Sequence, residues 1–124
     1  MLNKLFISCP MNGRTKEDIE ASIETMHKVA EIMYGKELEV IQTYIEEEAP
    51  EGVNAGLWYL SKSIEKLAEA DYFIGCSNVD VISGEGEFTG CEVERHAAIG
   101  YGIPYRCINC RDFKCFDDIG KINH

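Results

Sequence analysis

No stretch of this 124-residue chain approaches the roughly 18 consecutive apolar residues a membrane-spanning helix requires, so a membrane is not an expected partner. Positive charge is scarce: 12 lysines and arginines stand against 22 aspartates and glutamates, a net charge of −10. A surface that acidic repels phosphate backbones at long range, so no nucleic acid polymer is expected, although a mononucleotide in a small, locally positive pocket stays open. The chain has no Walker A sequence, no G-x-G-x-x-G, no second C-x2-C, no internal repeat and no low-complexity segment. The opening residues Met1 to Phe6 are too short for a signal peptide and run straight into a strand pattern, which points to a cytoplasmic protein.

What is present suits one domain with a single core, residues 1–124. Lys4 to Ser8 is a short apolar run that ends in the turn Cys9-Pro10-Met11-Asn12-Gly13. Thr15 caps a helix, with Asp18 as the carboxylate partner of a capping box; Ile19, Ile23, Met26, Ala30 and Met33 give one apolar stripe, and Gly35 ends it. Leu38 to Tyr44 reads as a second strand, and the acidic segment Glu46 to Asn54 as a loop. Leu57, Leu60, Ile64 and Leu67 mark a second helix ending near Ala70. Asp71 to Cys76 is a strand apolar enough to be covered on both faces. Asn78 to Phe88 follows as a loop, then a third helix over Thr89 to Tyr101 with Val93, Ala97 and Tyr101 inward. Gly102 and Pro104 break it, Tyr105 to Asn109 is a fourth strand, and Phe113 to Ile119 a last helical turn. Strands alternating with helices imply right-handed crossovers. The expected fold is a small doubly wound α/β domain, Rossmann-like or flavodoxin-like, with a parallel sheet of four to five strands flanked by helices.

Of the six cysteines, Cys9, Cys76, Cys91, Cys107, Cys110 and Cys115, three fall in or beside strands and turns that should be buried, which suits reduced thiols acting as small hydrophobes. Cys107, Cys110 and Cys115 would hold zinc only if a fourth ligand such as His124 joined them, and Cys107 lies inside an apolar strand pattern. No metal and no organic cofactor is expected.

Three places carry candidate chemistry. Thr89-Gly90-Cys91-Glu92 delivers a carboxylate into the first turn of a helix at the carboxyl end of the sheet, where open α/β sheets bind ligands. As a capping box, Glu92 would merely satisfy the amide of Thr89. As a functional group, it would be kept ionised by the helix N-terminus and could attack a sugar carbon, as carboxylates do in glycoside cleavage. The turn from Cys9 to Arg14 could receive an anion on its amides, with Arg14 adding charge, or could be a plain turn with Arg14 in water. The Gly-rich run from Ser83 to Gly90, with Gly86 at its centre, could approach a ligand closely, but Glu85 and Glu87 would repel a phosphate, so it reads as a flexible lid or as a loop with no function. His27 and His96 read as solvated or core-edge residues, His96 lying one turn from Glu92, and Trp58 and Tyr59 as packing.

The order of these pieces resembles the nucleoside 2-deoxyribosyltransferase superfamily, which includes the deoxynucleoside 5′-monophosphate N-glycosidases and small phage-associated relatives. The likeness covers about Lys4 to Asn109 and rests on Phe6-Ile7-Ser8-Cys9-Pro10-Met11-Asn12-Gly13, on Leu67-Ala68-Glu69-Ala70-Asp71 and on Thr89-Gly90-Cys91-Glu92. It implies that Glu92 is the nucleophile forming a covalent deoxyribosyl-enzyme, which water or a second base resolves. It further implies that Cys9 to Arg14 face the ligand, with Gly86 and Gly90 shaping the pocket, and that subunits pair as a homo-oligomer, dimer or higher, to complete the site. The chain departs from the pattern at Phe6, where the family has an aromatic hydroxyl, and at Ser63, where it has a second carboxylate; Glu65 would point to another side of that helix. The loop between Asp71 and Glu92 is also longer than the family's. The expected activity is N-glycosidic cleavage or base exchange on a nucleoside or nucleotide. The rival is a non-catalytic member of the same fold that binds or sequesters a small nucleotide.

Overall fold

A computed structural model describes residues 2–11, 14–77 and 90–116. Four strands, β1 (Asn3–Ile7), β2 (Leu38–Val40), β3 (Tyr72–Cys76) and β4 (Tyr105–Ile108), form one sheet in the order β2-β1-β3-β4. Every pairing is parallel, with Leu5 opposite Val40 on one side of β1 and Tyr72 on the other. Among the described residues three helices lie in the crossovers: α1 (Lys16–Tyr34), α2 (Ala55–Leu67) and α3 (Gly90–Gly100). The doubly wound α/β expectation holds.

Local chemistry explains the ends of α1. The Thr15 hydroxyl accepts the amide of Asp18, satisfying one orphan donor of the first turn. Gly35 ends the helix with φ 69°, a left-handed conformation that glycine adopts without steric cost. At the head of α2, Asn54 caps in the same way through the amide of Leu57.

Period-two alternation along the strands sends side chains to two different layers. Leu5, Ile7, Ile74, Cys76 and Ile108 pack with Met26 and Ala30 of α1. Phe6 and Phe73, whose rings stack 5.8 Å apart, pack instead with Leu67 of α2 and Ala98 of α3. The sheet is therefore covered by α1 on one face and by α2 and α3 on the other. After β4, two short helical turns at Cys110–Asp112 and Lys114–Phe116 fold back, and Cys110 and Phe116 join the α1-side core.

Three expectations need correction. The second strand spans Leu38–Val40 and not Leu38 to Tyr44: β2 is an edge strand, and after Ile41 donates to the Leu5 carbonyl it has no further ladder partner. The last helical turn begins before Phe113, at Cys110, and its forecast end at Ile119 lies outside the described residues. The inward face of α3 is not Val93, Ala97 and Tyr101. Glu92, Glu94 and Ala98 are its buried residues, Val93 and Ala97 are half-buried, and Tyr101 is 88% exposed. Apolar periodicity misreads this helix because a carboxylate occupies an inward position.

Candidate functional site

Strand order changes direction at β1, since β2 lies to one side of it and β3 to the other. In such a sheet the crevice opens beyond the carboxyl ends of these two central strands. Ser8 sits there, one residue past β1, its amide extending the ladder to the Ile74 carbonyl at 2.9 Å. Alternation turns Ser8 toward the α2/α3 face, as it does Phe6.

Glu94 meets it. The Ser8 hydroxyl donates to Oε1 of Glu94 at 2.8 Å, and the Ser63 hydroxyl of α2 donates to Oε2. One carboxylate thus joins β1, α2 and α3. Glu94 is only 8% exposed. Burial pushes its pKa above the usual carboxylate range, and the two hydroxyls, which favour the charged form, oppose this without overcoming it. Among the described residues no lysine or arginine contributes to that balance.

Gly75 of β3 keeps room beside this group. A Cβ there would lie 2.9 Å from the Phe73 ring and 3.6 Å from the Cβ of Ser8. A side chain there would push the Phe73 ring away, while its contact with Ser8 would be an ordinary one.

Glu92 has different company. Two residues along a helix are turned by about 200°, so Glu92 and Glu94 cannot share a face. Glu92 forms an ion pair with Arg95, and His96 Nε2 lies 3.4 Å from its other oxygen. Arg95 also reaches the Cys107 thiol on β4; that thiol is pushed up by burial, Arg95 opposing the shift. Glu92 therefore belongs to a charge-paired cluster on α3 and β4, and Glu94 to a cation-poor one.

The remaining site candidates scatter. Phe6 is fully buried against Phe73, in the floor of the α2/α3 face. Cys9 is buried on the α1 side, its thiol donating to the Pro10 carbonyl and pushed up to about 12 by burial. Pro10 and Met11 are half-buried, and Asn12, Gly13, Gly86 and Thr89 lie outside the described residues. Gly90 opens α3, and a Cβ there would make an ordinary 3.8 Å contact with Leu60. Ser63, where the resemblance places a second carboxylate, touches Glu94 directly.

Arg14 is neither in water nor aimed at the crevice. Its guanidinium donates to the Pro10 carbonyl at 2.8 Å, the Ser22 hydroxyl at 2.7 Å, the Cys115 carbonyl at 2.9 Å and the Asp18 carbonyl at 3.3 Å. It also contacts the Cys9 sulfur and lies 5.3 Å from the centre of the Phe116 ring. It ties the first turn, α1 and the C-terminal turns together.

Sequence reasoning missed Glu94 and Ser8. The available signals were the i, i+4 spacing of Glu94 and Ala98 and the place of Ser8 at the carboxyl end of a central strand. Among the described residues no three His, Cys, Asp or Glu side chains are arranged to hold a metal ion, and no helix is long and apolar enough to cross a membrane. No family model, curated protein or solved structure matches the chain.

Proposed function

We propose that this protein cleaves the N-glycosidic bond of a nucleoside or nucleotide, or exchanges its base, and that Glu94 is the reactive carboxylate. One observation carries the reading: a buried, desolvated carboxylate, held through both oxygens by serines of two other elements, stands at the crevice of a doubly wound sheet. The resemblance read from the sequence places a nucleophilic glutamate at the start of this same helix, and the geometry favours Glu94 over Glu92 for that part.

The chemistry follows from the holding. Each Glu94 oxygen keeps a second lone pair while accepting one serine, so one oxygen can form a bond to the anomeric carbon as the carbon–nitrogen bond breaks. The base leaves with that electron pair and takes a proton from water. A second water, or another base, then opens the glycosyl ester. Ser8 and Ser63 fix the carboxylate in one rotamer, and Phe6 and Phe73 keep the floor dry. Ser63 stands where the family pattern has an acid, so protonation of the leaving base lacks a dedicated donor. Turnover slower by about 10²–10⁴ than with such a donor is expected.

Pairing of subunits belongs to the same reading. The apolar stripe of α2 is incompletely covered: Leu57 is exposed, and Leu60 and Ile64 are half-buried. A second copy placing its own α2 there would cover the stripe and close the crevice beside Ser63.

The test is chromatographic detection of free base from a panel of ribo- and deoxynucleosides and their monophosphates. Release by wild type that vanishes in Glu94→Gln is expected. Retention of a nucleotide with no base released would favour the sequestering reading, and the absence of both release and retention would refute both readings.

A further inference from the structure

A second cavity lies at the other end of the sheet from Ser8 and Glu94. Tyr72 and Tyr105 are the first residues of β3 and β4, and Tyr34 is the last of α1. With Pro104 and Arg106 they line a depression of about 510 Å³, within the range of small-molecule sites. Local structure fixes its walls. Gly102 follows α3 with a left-handed φ of 74°, its amide donating to the Ile99 carbonyl and that of Ile103 to the Ala98 carbonyl, a closed helix end. The Tyr34 hydroxyl donates to the Phe73 carbonyl at 2.7 Å and has the Pro104 carbonyl at 3.1 Å, so its ring is anchored at the tip.

The rings carry two cations. The Arg106 guanidinium lies 5.7 Å from the centre of the Tyr34 ring and Lys36 Nζ 5.0 Å from that of Tyr72, the two rings being 4.5 Å apart. Lys36 also donates to the Tyr72 hydroxyl at 2.9 Å, and Arg106 spends one donor on the Tyr105 carbonyl at 3.4 Å. Among the described residues neither cation forms an ion pair, and no aspartate or glutamate lines the cavity. Lys4, Lys28 and Arg95, by contrast, each lie against a glutamate. Two neighbouring cations held on tyrosine faces make a positive spot, and the fork of Arg106 retains donors for an anion. Tyr105, 43% exposed, offers an aromatic face beside it.

We infer that this cavity binds a small anion carrying a planar ring, its phosphate or carboxylate meeting Arg106 and its ring packing on Tyr105 and Pro104. The site is separate from the Glu94 crevice and does not depend on the glycosidic reading.

Titration calorimetry of the whole chain with phenyl phosphate, benzoate, phenol and inorganic phosphate tests it. Phenyl phosphate or benzoate should bind about tenfold or more tightly than phenol, which lacks the charge, and than inorganic phosphate, which lacks the ring. The tighter of the two names the anionic group. Arg106→Met should weaken that probe about tenfold, Tyr105→Ala should weaken it as well, and added salt should do the same. Glu94→Gln, at the opposite end of the sheet, should leave it unchanged. Phenol or inorganic phosphate binding as tightly as the charged ring would overturn the inference. So would affinity that survives Arg106→Met or is lost in Glu94→Gln, or no binding of either charged ring at millimolar concentration. If Arg106→Met does not fold, Tyr105→Ala decides, and unchanged affinity there would overturn the inference.

Discussion

The two faces of the sheet are built from the same four strands and packed for different ends. On the α1 side, Met26 and Ala30 are fully buried against Leu5, Ile74 and Leu38, and five of the six cysteines lie in or against that layer. Arg14 on this side is spent on carbonyls and a hydroxyl of the protein itself. Two of the thiols there are pushed up, Cys9 by burial and Cys76 by its contact with Cys110 and by burial. On the α2/α3 side the fully packed core is small, four residues, and next to it stand a buried carboxylate, two serines and a glycine that keeps space open. A buried ionisable group with raised pKa is unfavourable for folding. The difference teaches that one face supplies stability and the other uses some of it to hold a buried carboxylate.

Substitutions can break this contrast. Met26→Ala, in the fully packed layer, should have the largest effect, a loss of about 2–5 kcal/mol in denaturant unfolding. Gly75→Ala should cost about 1–3 kcal/mol, because its Cβ crowds the Phe73 ring. The displaced ring belongs to the floor of the α2/α3 face, so base release should fall along with stability.

Glu94→Gln should act in the opposite sense on stability. Its carboxyl pKa is higher in the folded than in the unfolded chain, so the folded state is favoured by protonation. That stability is fully present below the ordinary carboxylate value of 4.5 and is lost as pH rises through the folded pKa. Calorimetry should therefore find Glu94→Gln melting above wild type at neutral pH, with the gap closing toward pH 4.5. A gap that widened on acidification would contradict the burial account.

The smallest effect should come from Leu57→Ser on the uncovered stripe of α2, within about 0.5 kcal/mol for the monomer. If α2 pairs with a second copy, sedimentation should show that substitution weakening self-association while the fold stays intact.

Much of the α1 side was legible in the sequence. Thr15, the stripe from Ile19 to Ala30 and Gly35 follow local rules of capping and periodicity, and local rules suffice where a helix packs on an apolar sheet; Met33, expected on the same stripe, is exposed. The other side was harder. At α3 the rule that apolar residues face inward points to Val93, Ala97 and Tyr101, whereas tertiary contact with Ser8, 86 positions away, brings Glu94 in. Ser63 was singled out as a departure from a family pattern; its bond to Glu94 depends on how α2 lies against α3. Arg14 read as an anion ligand or a solvated side chain because its partner Cys115 is 101 residues distant. Such long-range pairings leave no periodic trace.

The measurement closest to the central claim is base release from one deoxynucleoside by Glu94→Gln and Glu92→Gln, each beside wild type and each shown folded by its melting curve. The two carboxylates share a helix; Glu94 is held by serines at the crevice, and Glu92 is paired with Arg95. The account predicts that release disappears in Glu94→Gln and survives in Glu92→Gln. Release that survives in Glu94→Gln and disappears in Glu92→Gln would contradict it.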